Sequence, residues 1–238
     1  MKMLRRALVI FNPKKPHARE LAADVRKFLE AGGVEVAGSK PADALIVVSG
    51  DGTLLYHKSR HRLPLFAIGN RRSFICQAHA GNWREKLRRI IRRGFATERR
   101  MMLACEVDGK VVEDALNEIV IRSRDHRVID LEVDAGGRRF AFSADGVLFS
   151  TPTGSTAYCY SCGGGELPRH AKKYEIVAIA PYRRAFKPMT VPDSAAAAAT
   201  TSSPNADLVF DGQFIHRVRP GSRIRVRRSS RSVELVKA

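Results

Sequence analysis

The chain has 238 residues, 44% of them hydrophobic, and its 42 Lys and Arg residues outnumber 24 Asp and Glu residues to give a formal net charge of +18. A chain of this length forms either one large domain or two ordinary ones, each with its own core. Its longest apolar runs, residues 44–48 and 176–180, are too short to cross a bilayer, which argues against a membrane-spanning protein. The N-terminal apolar run at residues 7–11 is shorter than the core of a signal peptide, so we expect a cytoplasmic location.

The positive charge suits nucleic acid, an anionic membrane surface or small phosphorylated molecules. Basic residues are spread along the chain, with local clusters at residues 88–93 and 223–231. No helix-turn-helix, zinc-finger or RNA-binding signature accompanies them. A solvated basic surface is therefore favoured over a nucleic-acid interface.

Cys159 and Cys162 have the C-x-x-C spacing of metal and redox sites. A zinc site needs two further ligands, and Cys76 and Cys105 are isolated in the sequence. We interpret the cysteines as incidental thiols in a reducing compartment and expect no metal site built by the protein alone.

The first third of the chain alternates buried strands with a helix. Residues 7–11, 34–36 and 44–48 read as strands, and residues 17–31 place Leu21, Val25 and Leu29 on one helical face. Near-continuous apolar runs are typical of strands in parallel sheets. This order predicts an α/β domain.

A glycine-rich loop, Ser49-Gly50-Asp51-Gly52-Thr53, follows the strand at residues 44–48. Open α/β sheets bind ligands beyond the carboxyl ends of their strands. The glycines would let backbone amides approach a phosphate, next to a helix expected from Leu54 to about Arg60. The alternative is a plain turn in which Asp51 caps that helix.

From residue 100 onward the pattern becomes that of strands. Residues 101–107 and 110–112 flank an Asp-Gly turn, and residues 115–122, 128–133 and 138–142 predict further strands. We therefore predict two domains: residues 1–99 form a Rossmann-like α/β domain, and residues 100–238 form a C-terminal β-sandwich. The second domain is expected to run to the end of the chain, with no segment returning to the first.

Polar residues lie on the strands of the second domain. Asn117 and Glu118 are adjacent on one predicted strand, so their side chains point to opposite faces and at least one faces inward or into a cleft. Further on, the strand at residues 147–149 ends in a turn that contains Pro152 and Gly154, where we expect a helix capped by Ser155 or Thr156. Hydroxyls and free amides after a strand suit a polar, flat ligand, although an ordinary strand-to-helix turn is the alternative.

These motifs together resemble those of the NAD kinases. Ser49–Thr53 is similar to a G-G-D-G-T motif that NAD kinases share with diacylglycerol and sphingosine kinases, and Asn117-Glu118 matches an N-E motif. Asp145-Gly146 and the run from Ser150 to Tyr158 resemble a third signature, which the lipid kinases lack. Asp211-Gly212-Gln213 matches a later D-G-Q element.

The resemblance implies roles for individual residues. Asp51 would be the general base, and the phosphates of ATP would be bound by Gly50, Gly52 and Thr53. The dinucleotide, lying between the domains, would be bound by Asn117, Glu118, Asp145, Thr156, Ala157, Tyr158 and Ser161. The reaction implied is transfer of the γ-phosphoryl group to the 2′-hydroxyl of the adenosine ribose of NAD, with ATP or polyphosphate as donor and Mg²⁺ or another divalent cation as cofactor. A homodimer or homotetramer is implied, with no specific nucleic-acid or membrane partner.

The chain departs from the family pattern near the glycine-rich loop. Ser49 replaces its first glycine, and Arg71 and Arg72 occupy positions where the family has a glycine-rich turn. These departures leave open a catalytically weak NAD(P)-binding protein. A lipid kinase of the diacylglycerol or sphingosine kinase type is a further hypothesis, and a nucleic-acid binder is the least favoured one.

Overall fold

The structure is a computed structural model that describes residues 1–39 and 41–237. The chain divides into two compact units. The first comprises Met1–Arg99 together with the chain from Val233 onward, and the second comprises Arg100–Ser232. The predicted division differs at the C-terminus, because the last strand leaves the second unit and returns to the first.

The first unit is an α/β unit. Its helices are α1 (Pro16–Ala31), α2 (Asp51–His57) and α3 (Trp83–Arg93). Its strands are β1 (Arg6–Phe11), β2 (Glu35–Ala37), β3 (Ala44–Val48), β4 (Leu65–Gly69) and β5 (Ala78–His79).

A parallel sheet forms the centre of the first unit. Its order is β4-β3-β1-β2, and β5 pairs with β4, also in parallel. All of β3 is buried, and α1 contributes Ala18, Ala22, Val25 and Leu29 to the interior at helical spacing. The apolar periodicity of the sequence therefore identified both the strand and the helical face, and the Rossmann-like prediction is confirmed.

The second unit consists of β-strands joined by turns and short helices. A long strand, β6 (Ala96–Val107), enters it from the first unit and pairs with β7 (Lys110–Ala115). The following strands are β8 (Glu118–Ser123), β9 (Ile129–Ala135), β10 (Arg138–Ala144), β11 (Gly146–Ser150), β12 (Lys173–Ile179), β13 (Met189–Pro192), β14 (Ala197–Thr201), β15 (Ala206–Phe210), β16 (Phe214–Arg217) and β17 (Ile224–Lys237).

These strands form a sandwich. One sheet has the antiparallel order β10-β9-β14-β17, and the other has the antiparallel order β13-β12-β11-β8-β15-β16. Apolar side chains from both sheets, such as Val133, Phe149 and Phe210, form one core between them. The predicted β-sandwich is confirmed.

Strand β17 belongs to both units. Near its start, Ile224 and Val226 pair with β14 of the second unit, and near its end Leu235 pairs in parallel with Leu65 of the first. Val236 is buried in the core of the first unit. The expectation that no segment returns to the first domain is therefore wrong, because apolar residues at the end of β17 extend the parallel sheet.

Strand pairing brings polar segments of the second unit together. Ser150, the last residue of β11, is paired with Glu118, the first residue of β8. Phe210, the last residue of β15, is paired with Ile119. The segments that follow β11 and β15 therefore begin beside Asn117-Glu118. Among the described residues, no helix is long and apolar enough to span a membrane.

Candidate active site

The glycine-rich loop leads directly from β3 into α2. Ser49 and Gly50 both have positive φ angles, 138° and 107°. The amides of Thr53 and Leu54 donate to the carbonyl oxygen of Gly50 at 3.1 and 3.2 Å, so α2 begins at Asp51 rather than at the expected Leu54. Gly52 is exposed at the start of this helix, and Thr53 is buried.

The Asp51 carboxylate is held by the segment that follows β4. Its Oδ2 accepts a hydrogen bond from the Phe74 amide at 2.7 Å, and its Oδ1 accepts from the amides of Ile75 and Cys76 at 3.2 and 3.1 Å. Asp51 therefore does not cap α2, which was the alternative interpretation of this loop. These bonds orient the carboxylate, and the Cys76 thiol lies beside it as a further donor.

The loop at residues 70–73 closes without the glycines of the family pattern. Asn70 and Ser73 bond each other, through the Asn70 amide to Ser73 Oγ and the Ser73 amide to the Asn70 carbonyl, both at 3.2 Å. The Arg72 amide also donates to Asn70 Oδ1 at 2.8 Å. Side chains thus supply the turn, while Arg71 and Arg72 extend into solvent beside the segment that holds Asp51.

The Cys76 thiol lies next to the Asp51 carboxylate. Burial and the negative charge of Asp51 raise the pKa of Cys76 well above its usual range. The thiol is therefore protonated and unreactive at neutral pH.

In the second unit, Asp211 holds the backbone of the predicted N-E motif. Asp211 Oδ1 accepts from the amides of Asn117 and Glu118 at 2.7 and 3.1 Å, and Oδ2 accepts from the Leu116 amide at 2.9 Å. In return the Asp211 amide donates to the carbonyl oxygen of Glu118 at 3.0 Å. The start of β8 is therefore fixed by a residue that follows β15.

The side chains of Asn117 and Glu118 are both buried, and each residue is 7% exposed. Asn117 Oδ1 and Glu118 Oε2 have no hydrogen-bond partner within residues 1–39 and 41–237. Burial, and secondly the negative charge of Asp211, raises the pKa of Glu118 to about 8. Because buried polar atoms are normally paired, these atoms fit a site that a polar ligand completes.

The turn after β11 packs directly on Asn117. The Thr151 amide donates to the Asn117 carbonyl oxygen at 2.8 Å, and the Thr151 hydroxyl accepts from the amides of Thr153 and Gly154 at 3.0 and 3.1 Å. A Cβ at Gly154 would lie 2.3 Å from that same carbonyl oxygen, so only glycine fits there.

The expected helix capped by Ser155 or Thr156 is wrong. Gly154–Thr156 form a 3₁₀ turn, and a short helix, α4 (Tyr158–Ser161), begins only after Ala157. The Ser155 hydroxyl is buried, donates to the Pro152 carbonyl oxygen at 2.9 Å and accepts from the Leu167 amide at 2.9 Å. It is committed to the turn itself and is not available to cap a helix.

The remaining predicted dinucleotide ligands surround α4. The hydroxyls of Thr156 and Ser161 make long bonds of 3.5 Å to the carbonyl oxygens of Thr153 and Ala157. Tyr158 is 36% exposed, and burial together with the nearby Cys162 raises the pKa of its phenol. Tyr158 therefore keeps an accessible surface.

Asp145 lies at the other end of β11 from Ser150. Its backbone continues the sheet, through its amide to the Ile179 carbonyl oxygen at 3.0 Å, and its side chain is exposed. Its charge acts on Tyr158. The structure thus groups Asn117, Glu118 and the Thr151–Ser161 segment, and it connects Asp145 to that group through Tyr158.

Comparison with known proteins identifies the family. The family described as ATP-NAD kinase C-terminal domain matches residues 116–238. The NAD kinase of Nitratidesulfovibrio vulgaris is 30% identical over 249 residues, which cover 94% of this chain and 83% of that protein. The chain belongs to the NAD kinase family. The NAD kinase of Treponema denticola is also 30% identical, over 80% of this chain and 75% of its own length.

Solved structures of the family have the same fold. An NAD kinase from Archaeoglobus fulgidus, in complex with ATP, matches with a TM-score of 0.82 and 25% identity, over 98% of this chain and 93% of that one. Yeast NADH kinase, complexed with NADH, matches with a TM-score of 0.86 over 99% and 84% of the two chains, at 19% identity. The second likeness supports the fold alone.

The cysteines of this NAD kinase family member are Cys76, Cys105, Cys159 and Cys162. All of them are free thiols. Cys159 Sγ donates to Glu175 Oε2 at 3.3 Å, and burial together with the charge of Glu175 raises the pKa of Cys159 to about 12. Within the described parts of the chain, no group of three His, Cys, Asp or Glu residues could hold a metal ion.

Asp211 was not assigned to the site from the sequence, although its D-G-Q motif was visible. A carboxylate directly after a buried strand and before a glycine is the same signal that identified Asp51. The backbone of Phe74–Cys76 was also missed, because nearly every residue type has an amide donor and the sequence does not show which amides are used.

Proposed function

We propose that the protein is an NAD kinase that transfers the γ-phosphoryl group of ATP to the 2′-hydroxyl of the adenosine ribose of NAD, with NADP as the product. The observation that carries the proposal is the Asp51 carboxylate, oriented by the amides of Phe74, Ile75 and Cys76 at the carboxyl end of a parallel strand. Family membership supplies the substrate class.

Asp51 acts as the general base in this proposal. A carboxylate can take the proton of the 2′-hydroxyl as the new bond to phosphorus forms. Because phosphoryl transfer depends mainly on positioning and charge stabilisation, the fixed orientation of Asp51 matters more than high basicity.

The donor phosphates lie, in our proposal, at Gly50, Gly52 and Thr53. Arg71 and Arg72 supply positive charge next to the segment that holds Asp51. Guanidinium groups bind phosphate oxygens through charge-assisted hydrogen bonds. We infer ATP as the donor, and polyphosphate is tested as the alternative.

NAD binds, in our proposal, to Asn117, Glu118, Asp145, Thr156, Ala157, Tyr158 and Ser161. The unpaired Asn117 Oδ1 and Glu118 Oε2 support this assignment, since a dinucleotide offers ribose hydroxyls, ring nitrogens and amides that can pair with them. The exposed part of Tyr158 is suited to stacking on a base.

The residues of the proposed site could hold a divalent cation only together with the phosphates of ATP. Magnesium is commonly held by one or two carboxylates and by substrate phosphates, and Asp51 is a carboxylate in that position. When bound with ATP, Mg²⁺ would neutralise the charge that develops on the donor phosphates.

We propose a cytoplasmic homo-oligomer. The free thiols of Cys76, Cys105, Cys159 and Cys162 suit a reducing compartment.

The test is NADP formation from NAD, ATP and Mg²⁺, measured with an NADP-specific dehydrogenase, for the wild type and Asp51→Asn. We expect Asp51→Asn to lower kcat by about 10²- to 10⁴-fold, because loss of a general base has effects of that size. Asparagine keeps an Oδ1 acceptor, so NAD affinity in calorimetry is expected to change little. Asp24→Asn, which removes an exposed ion pair between α1 and Arg84, is the matched control.

Different results would indicate a different function. NAD binding without turnover in the wild type would indicate a catalytically weak NAD(P)-binding protein. Phosphorylation of diacylglycerol or sphingosine in place of NAD would indicate a lipid kinase. Replacing ATP by polyphosphate in the same assay identifies the donor.

A further inference from the structure

Asp211 is buried, with 3% of its surface exposed, and its carboxylate binds the consecutive amides of Leu116, Asn117 and Glu118. Its φ angle is 52°, an uncommon conformation for a residue other than glycine. The return bond from the Asp211 amide to the Glu118 carbonyl oxygen closes the arrangement. The local backbone of Asp211 and the start of β8 are therefore set together.

In the described part of the chain, the titratable groups that act on Glu118 are a carboxylate and two thiols. Asp211 acts on it from the turn after β15. The thiols of Cys159 in α4 and of Cys162 directly after it lie near Glu118; the pKa of each is raised by burial, so both are neutral. Beyond Cys159 lies the Glu175 carboxylate. The Asp211 carboxylate already binds backbone amides. A second buried negative charge nearby is unfavourable, so the neutral form of the Glu118 carboxyl is favoured.

We propose that Asp211 is a positioning residue of the dinucleotide site, which fixes the backbone of Asn117-Glu118 and keeps the Glu118 carboxyl neutral so that it donates a hydrogen bond to the dinucleotide. The inference rests on the proposed NAD site. The partner is an acceptor atom of the ligand: an adenine ring nitrogen, a ribose oxygen or the carboxamide oxygen. A neutral carboxyl is not repelled by the anionic pyrophosphate of the dinucleotide. A buried carboxylate at the same position would be repelled.

The first test needs no ligand. Because burial raises the folded pKa of Glu118 to about 8, the folded protein binds more protons than the unfolded chain between about pH 4.5 and pH 8. Wild-type stability should therefore fall relative to Glu118→Gln as the pH rises through this window, and the difference should level off above pH 8. Asp211→Asn should reduce this pH dependence, because it removes the charge and keeps one oxygen as an acceptor for the amides.

The second test is the pH dependence of KM for NAD between pH 7 and pH 9.5 at saturating ATP. In the wild type, KM should rise about tenfold per pH unit above pH 8, because the protonated fraction of Glu118 falls by that factor. Glu118→Gln, neutral at every pH and able to donate, should show a flat KM. In Asp211→Asn the rise should begin at a lower pH, because loss of the neighbouring negative charge lowers the pKa of Glu118. The weaker hold on the backbone should also raise KM at every pH. Asp207→Asn, on β15 and paired with Arg124, is the control and should follow the wild type.

Parallel stability curves for the wild type and Glu118→Gln would overturn the proposal, and so would a Glu118→Gln variant that binds NAD weakly at every pH. Failure of the proposed function looks different. Wild-type protein that forms no NADP would contradict the NAD kinase proposal, while the stability curves would still report whether Glu118 is neutral.

Discussion

Ser49 occupies a backbone conformation that suits glycine. Its φ angle is 138°, and its hydroxyl oxygen is buried with no hydrogen-bond partner in the part of the chain that the structure describes. A residue with a Cβ in such a region costs about 1–3 kcal/mol relative to glycine. This NAD kinase family member therefore carries strain at a loop position where its relatives' motif has glycine.

Ser49→Gly is expected to raise the free energy of unfolding by about 1 kcal/mol. Relief of strain of about 1–3 kcal/mol is partly offset by the roughly 0.5–1 kcal/mol that glycine loses in chain entropy. Urea unfolding measures the change. Ser230→Gly, at an exposed position of β17 with ordinary backbone angles, is the control and should lose about 0.5–1 kcal/mol. A loss at Ser49 equal to that of the control would contradict the strain argument.

How much of the site could be predicted depends on how local its contacts are. Asp51 and Glu118 could be proposed from the sequence because strand, glycine and carboxylate lie within a few residues of each other at Asp51, and because Glu118 stands in a short polar motif. The role of Asp211 could not, since its partners lie 93 to 95 positions earlier and the contact exists only once β8 and β15 pair. The raised pKa of Glu118 follows from the same fold and was equally out of reach.

At the scale of elements, the turn after β11 is a second support for Asn117. Gly154 lies so close to the Asn117 backbone that an added Cβ would be 2.3 Å from its carbonyl oxygen and 2.5 Å from its carbonyl carbon. Both atoms belong to the backbone and cannot move away alone. The turn and the start of β8 therefore behave as one packed element.

Gly154→Ala is expected to displace Asn117, raise KM for NAD and lower the free energy of unfolding by about 1–3 kcal/mol, as overpacking does in well-packed sites. Calorimetric titration with NAD and thermal unfolding measure the two effects. Gly165→Ala is the matched control, since its Cβ would meet only Glu175 Oε1, at 3.9 Å. Equal NAD affinities for the two variants would show that the turn does not position Asn117.

The regular elements were easier to predict than this turn. Burial on one face gave α1 its periodicity and burial on both faces gave β3 its continuous apolar run, so the sequence alone identified them. Ser155 looked like a helix cap because serine favours that position, but its hydroxyl bonds Pro152 and Leu167 instead. Tertiary contacts therefore override the preference of serine for a helix N-cap.

At the scale of the whole molecule, the charge of the last strand is largely used internally. Arg225 and Arg227 pair with Glu106, Arg228 with Asp193, and Arg231 with Asp114. The basic cluster at residues 223–231 therefore connects β17 to neighbouring segments of the sandwich. This explains a cluster whose sequence alone was compatible with a polyanionic partner.

The end of β17 should contribute strongly to the stability of the first unit. Leu235 is 3% exposed and pairs with Leu65, so Leu235→Ala is expected to cost about 2–5 kcal/mol. Lys237→Ala, at an exposed position of the same strand, should change stability by less than about 0.5 kcal/mol. Urea unfolding compares them, and equal values would mean that the returning strand does not support the first unit.

The pairing of Asp211 with residues 116–118 also sets a time at which the proposed dinucleotide site can form during synthesis. The amides of Leu116–Glu118 leave the ribosome more than ninety residues before the carboxylate that receives them. Until Asp211 has emerged, the amides of Asn117 and Glu118 lack the carboxylate that holds them. A nascent chain can therefore complete its parallel strands β1–β5 early, but it can form the proposed dinucleotide site only after Asp211 has been translated.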